Sequence, residues 1–149
     1  MSKPLPVSRH LSQERRTPAP ALLARVEPAR VRRSQLVMRV TAFLRDHVGQ
    51  PVRVADLSRM VGVSERTLRA AFHDVIGISP KRYAITLRLR AARTALSNAD
   101  PHTTTVTDIA TTFGFYELGR FAGRYRHTFG EVPSRTLRQA AAEPHERAV

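Results

Sequence analysis

The chain has 149 residues, with 25 Lys and Arg against 12 Asp and Glu for a formal net charge of +13, and no cysteine. That length holds one domain, or two small ones sharing a connection; the absence of thiols excludes disulfides and thiolate zinc sites, and no stretch approaches the roughly 20 apolar residues that span a bilayer. A basic surplus of this size is an electrostatic footprint for a polyanion, nucleic acid first, the lesser alternative from charge alone being a surface that merely keeps the protein soluble.

Residues 1–33 hold 8 basic and 2 acidic side chains with Pro4, Pro6, Pro18, Pro20 and Pro28, a composition that predicts a disordered basic arm. Its Arg30, Arg32 and Arg33 read as a solvated linker or as an arm that reaches a groove or the backbone of DNA. Ser34 is expected to cap a first helix, whose Leu36, Val37, Val40, Phe43, Leu44 and Val48 form a wide apolar stripe closed by Gly49 and Pro51. Val54 to Val61 follows as a short helix with Leu57 and the Met60/Val61 pair inward, and Gly62 marks a turn through left-handed backbone. Ser64 caps the next helix, which is expected to bury Leu68, Phe72 and Val75. Two short helices joined by a tight glycine turn make a helix-turn-helix, whose second helix can enter a major groove. Ser79 and Pro80 open a long helix to Ala99, with Tyr83, Leu87, Ala91 and Ala95 along one side and Pro101 beyond its end. About twenty residues give a rod of roughly 30 Å, close to the roughly 34 Å between successive major-groove faces on one side of B-DNA.

The remainder repeats the first half. Val54, Asp56, Leu57, Val61, Gly62 and Val63 return 52 residues on as Val106, Asp108, Ile109, Phe113, Gly114 and Phe115. Leu68, Phe72, Gly77 and Pro80 return 53 residues on as Phe121, Tyr125, Gly130 and Pro133. A short repeat at constant offset is one supersecondary unit used twice. In the second copy Thr105 and Asp108 form a capping box, a reading helix runs from about Glu117 to Thr128, a last helix from Pro133 to Gln139, and residues 140–149 are a frayed tail. Phe113, Phe115, Phe121, Tyr125 and Phe129 fall at core spacing. The expected fold is all-α: two helix-turn-helix subdomains, 34–79 and 100–139, joined by a linker helix over 80–99.

The stretches LSRMVGVSERTLRAAFHDVIGISPKRY (Leu57–Tyr83), RLRAARTAL (Arg88–Leu96) and FGFYELGRFAGRYRHTFGEVPSRTL (Phe113–Leu137) occur in this order. Over residues 34–139 the chain resembles the DNA-binding domain of the AraC/XylS family of transcription regulators. The resemblance implies a homeodomain-like fold of about seven helices, promoter recognition on double-stranded DNA, usually activation of transcription with RNA polymerase as a further partner, and a cytoplasmic, nucleoid-associated place in a bacterium. Most members carry a larger N-terminal effector domain, whereas about 33 residues precede the fold here. That implies the stand-alone subgroup, a monomer on DNA, or a truncated product of a longer gene.

Helix geometry selects the candidate readers. With Leu68 and Phe72 inward, Arg66, Arg69, Ala70 and His73 face out together, and the family's reading positions fall on the same four. Arg66 and Arg69 can each form a bidentate contact to guanine, worth about 1–3 kcal/mol of discrimination, and Ala70 can touch a thymine methyl; the alternative is that these arginines are solvated or hold phosphates. In the second copy the same positions are Gly119, Ala122, Gly123 and Arg126. Gly119, Ala122 and Gly123 offer close backbone approach and apolar contact, while Arg120, Arg124 and Arg126 suit phosphates. Ser64 and Thr67 read as caps that can also meet a phosphate at a helix N-terminus, and Lys81 and Arg82 as backbone contacts. The first subdomain is thus expected to specify and the second mainly to anchor. No catalytic grouping, metal pair or cofactor loop stands out, so an enzyme is not expected and no cofactor is called for. A nonspecific architectural DNA binder and a nonbinding remnant are the remaining alternatives.

Overall fold

The computed structural model describes residues 20–142. Within them it has α1 (Pro20–Asp46), α2 (Val54–Val61), α3 (Glu65–Ile76), α4 (Pro80–Asn98), α5 (Val106–Thr112), α6 (Leu118–Phe129) and α7 (Pro133–Ala142), and no strand among the described residues. Local chemistry sets most boundaries. The Ser64 hydroxyl accepts from the Thr67 N–H at 3.1 Å and opens α3; Ser79 does the same for α4 by accepting from the Arg82 N–H at 3.3 Å. Thr105 and Asp108 satisfy each other's backbone N–H groups at 3.2 and 3.0 Å, the reciprocal box expected at α5. Gly62 and its repeat partner Gly114 take φ values of 70° and 74°, a region that strains residues carrying a Cβ.

Two cores flank α4. The first gathers Val37, Val40 and Leu44 of α1, Leu57 of α2, Leu68, Ala71 and Phe72 of α3, and Ala84 of α4. The second gathers Leu89, Ala92 and Leu96 of α4, Ile109 and Ala110 of α5, Phe115, Phe121 and Tyr125, and Leu137 of α7. Ala84 and Leu89 are five residues apart, hence about 140° around the axis at 100° per residue. The long helix therefore buries a different side at each end, and Tyr83, Leu87, Ala91 and Ala95 are not its single buried stripe. In the second core, rings run from Phe115 to Phe121, Tyr125 and Phe129 at centroid spacings of 4.9, 5.6 and 4.6 Å. Tyr125 and Thr136 share a hydrogen bond of 2.8 Å, and Thr136 donates to Glu131 at 2.9 Å. A threonine hydroxyl has one proton, so Tyr125 donates to Thr136, and α6 is pinned to α7 by a directed chain.

Several boundaries differ from the expectations. Ser34 does not cap a helix: α1 already runs from Pro20 and holds Pro28 inside it, so residues 20–33 are helical rather than an arm. Residues 28–35 are exposed throughout, and a helix that projects beyond its core carries no apolar periodicity to reveal it. Arg33 on this extension pairs with Asp74 of α3 at 2.6 Å, and Arg30 and Arg32 lie exposed on the same helix. Val75 is 43% exposed; Ile76 packs on the first core in its place. Met60 is exposed too, leaving Val61 as the packed member of that pair. Val48 follows the end of α1 in a turn, and α7 continues to Ala142. The expectations for residues 1–19 and 143–149 lie outside the described residues.

Candidate nucleic-acid interface

On α3, Leu68 and Phe72 are fully buried, and Arg66, Arg69, Ala70 and His73 are exposed on the opposite side. Arg69 pairs with Glu65 one turn earlier, both side chains remaining well exposed. Such a pair is worth at most about 1 kcal/mol, so the guanidinium can exchange partners at small cost. Arg66 has no ion pair among the described residues. The Ser64 and Thr67 hydroxyls lie 2.9 Å apart and serve the cap at the exposed N-terminus of this helix.

On α6 the corresponding face is nearly bare. Gly119, Gly123 and Arg126 are exposed and Ala122 is half-buried. A Cβ added at Gly119 or Gly123 would meet nothing within 4 Å among the described residues. Internal packing therefore makes no demand for either glycine, although each costs about 0.5–1 kcal/mol against alanine in a helix. Leu118, the first residue of α6, is 42% exposed, and Tyr116 just before it is 77% exposed. Neither residue is among the expected contacts. The signal for Leu118 lay in the repeat itself, which sets it at the position of Glu65, 53 residues earlier. Arg120 pairs with Glu117 at 3.0 Å.

Basic groups converge where α6 meets the first turns of α4. A cleft of about 580 Å³ there is lined by Lys81, Arg82, Arg124 and His127, with Ile85 and Leu89 supplying apolar surface. Three of the expected phosphate contacts thus come together, no carboxylate among the described residues lines the cleft, and Arg120 and Arg126 lie outside it. Burial first and the charge of Arg124 second hold the Arg88 guanidinium below its ordinary pKa, and Arg88 lies 5.9 Å from the centre of the Phe115 ring. Positive potential is therefore concentrated at the junction of the two subdomains.

The helix-turn-helix domain family matches residues 57–139. The probable thc operon regulatory protein of Rhodococcus erythropolis is 45% identical over 96 residues, 64% of this chain and 29% of that protein. The XylDLEGF operon transcriptional activator 3 of Pseudomonas putida is 38% identical over 101 residues, 68% of this chain and 30% of that one. The chain thus spans less than a third of either relative's length. A solved structure of a probable AraC family transcriptional regulator from Rhodopseudomonas palustris CGA009 superposes with a TM-score of 0.67 at 38% identity, over 71% of this chain and 97% of its own. The matched region runs from α2 into α7 and takes in both glycine turns and the helix between them, and on these likenesses the chain belongs to the AraC/XylS family of helix-turn-helix regulators.

Proposed function

We propose that this chain binds double-stranded DNA as a sequence-specific transcription regulator of the activating kind, one monomer laying α3 and α6 into successive major grooves. The observation that carries this reading is the outward face of α3, where Arg66, Arg69, Ala70 and His73 stand together over the fully buried Leu68 and Phe72. Arg66 and Arg69 read guanine edges, Ala70 meets a thymine methyl, and His73 completes the face. Lys81, Arg82 and Arg124 in the basic cleft, with Arg120 and Arg126 on α6, hold phosphates and set register. Ser64 and Thr67 place the α3 N-terminus against the backbone. Gly119, Ala122 and Gly123 bring α6 close to the groove. Relatives named as transcriptional activators support the activating kind; RNA polymerase is then the second partner, and the work belongs in the bacterial cytoplasm.

Selection of bound sequences from a random duplex library tests the reading. The wild type is expected to enrich one two-part motif. Arg66→Ala/Arg69→Ala should relax one half of it, whereas Lys81→Ala/Arg124→Ala should weaken all sequences evenly and reduce the salt slope by about 2. No enriched motif from the wild type would overturn sequence-specific regulation and leave phosphate-only binding, which is what a nonspecific architectural protein shows.

A further inference from the structure

Laid over each other at the 53-residue offset, the two reading helices differ in one strip. In α3 it holds Glu65 and Arg69, joined as an ion pair one turn apart; in α6 the same positions are Leu118 and Ala122. Leu118 is 42% exposed at the leading end of its helix. Gly119 and Gly123 lie beside the strip with open space where side chains would be. None of these four side chains has a hydrogen-bond donor or acceptor. The surroundings are cationic: Arg120, Arg124 and Arg126 follow along the exposed surface of α6, and Glu117, the neighbouring carboxylate, is tied to Arg120 at 3.0 Å.

A single exposed leucine needs no explanation. A donor-free strip on a helix stripped to its backbone and rimmed by guanidinium groups suits a partner that is polyanionic at its edges and apolar where it is touched. The major groove meets that description at T·A pairs, because the thymine C5 methyl is the apolar group on its base edges. Resting on the DNA-binding reading above, we infer that Leu118 and Ala122 form an apolar strip that reads thymine methyls, with Gly119 and Gly123 letting the helix come close enough to reach them. The second subdomain then contributes sequence preference of its own, through shape and methyl contact, and is more than an anchor.

The test uses the full chain and the duplex it selects. Deoxyuridine replaces thymidine in one half of the motif at a time, which removes C5 methyls and leaves phosphates and hydrogen-bonding groups in place. The half read by α3 is the one that Arg66→Ala/Arg69→Ala relaxes. In the other half, uracil should weaken wild-type binding about fourfold per contacted methyl, the factor for burying one methyl-sized group, and Leu118→Ala should lose most of that sensitivity. Affinity unchanged by uracil in the α6 half would overturn this inference and return the strip to solvent or to a protein partner, while leaving sequence-specific binding through α3 intact. Failure to enrich any sequence would overturn both readings.

Discussion

Asp108 is an exposed carboxylate whose work is local. It accepts from the Thr105 hydroxyl at 2.6 Å and from the Thr105 N–H at 3.0 Å, and these bonds hold its pKa below the ordinary carboxylate value. A carboxyl group whose pKa falls on folding contributes stability above its unfolded value and loses it as pH falls through the folded one. Asp108→Asn should therefore lower the urea midpoint at neutral pH, and the gap from wild type should close as the solution is acidified below the carboxylate range. A gap that stays constant with pH would show that the charge contributes nothing to the box. Thr105→Ala, which removes the side-chain acceptor, should cost about 1 kcal/mol at neutral pH. Both roles were legible in the sequence because the partners are three residues apart. The Tyr125, Thr136 and Glu131 chain was not legible, since it joins groups brought together by the packing of α7 on α6. In the first copy Phe72 stands at the position of Tyr125 and has no hydroxyl to make such a chain.

Among the helices, α6 carries the clearest conflict between stability and use. Gly119 and Gly123 weaken it, and nothing among the described residues fills the space they leave. Gly119→Ala/Gly123→Ala should raise the thermal midpoint by several degrees, since each change gains about 0.5–1 kcal/mol of helix propensity without an internal clash. The same double variant should bind the selected duplex about tenfold more weakly, the factor that roughly 1.4 kcal/mol of steric misfit produces. Higher stability with unchanged affinity would separate the glycines from DNA approach. Helix ends and turns were readable wherever Ser, Thr, Asp or Gly acts on its own neighbourhood, as at Ser64, Gly62 and Thr105. Faces were readable only where one helix meets one core. At the end of α3, Val75 and Ile76 both lie near the inward direction, and only the tertiary partner chooses Ile76. In α4 a search for one stripe misses a helix that buries Ala84 on one side and Leu89, Ala92 and Leu96 on another. The outward face of α3 was legible because two buried residues, Leu68 and Phe72, suffice to orient the whole helix, whereas the exposure of Leu118 was not, since nothing local to the start of α6 sets it.

For the molecule as a whole, the decisive property is how firmly the two subdomains are held to one spacing. The 19 residues of α4 make a rod of about 28 Å, and each end is sunk in a different core, so neither subdomain can pivot on it without opening packed apolar surface. A second contact reinforces the first: a Cβ on Gly114 would lie 3.6 Å from the Gly49 carbonyl oxygen and 3.4 Å from the Arg88 guanidinium, and one on Gly49 would lie 3.4 Å from the Thr112 carbonyl oxygen. The loop after α1 thus touches the turn after α5, backbone to backbone. A frame of this kind fits one separation of half-sites. Five base pairs inserted between the halves of the selected duplex turn the second half to the opposite face, and ten restore the face but move it one further helical repeat, about 34 Å. A rigid frame reaches neither position, so both lengthened duplexes should bind only as well as a duplex carrying the α3 half alone. Two subdomains on a flexible tether would behave differently, because a tether adapts to distance once the face is restored. Recovery of affinity at ten base pairs would therefore show that the subdomains move independently and that α4 does not set the operator's geometry.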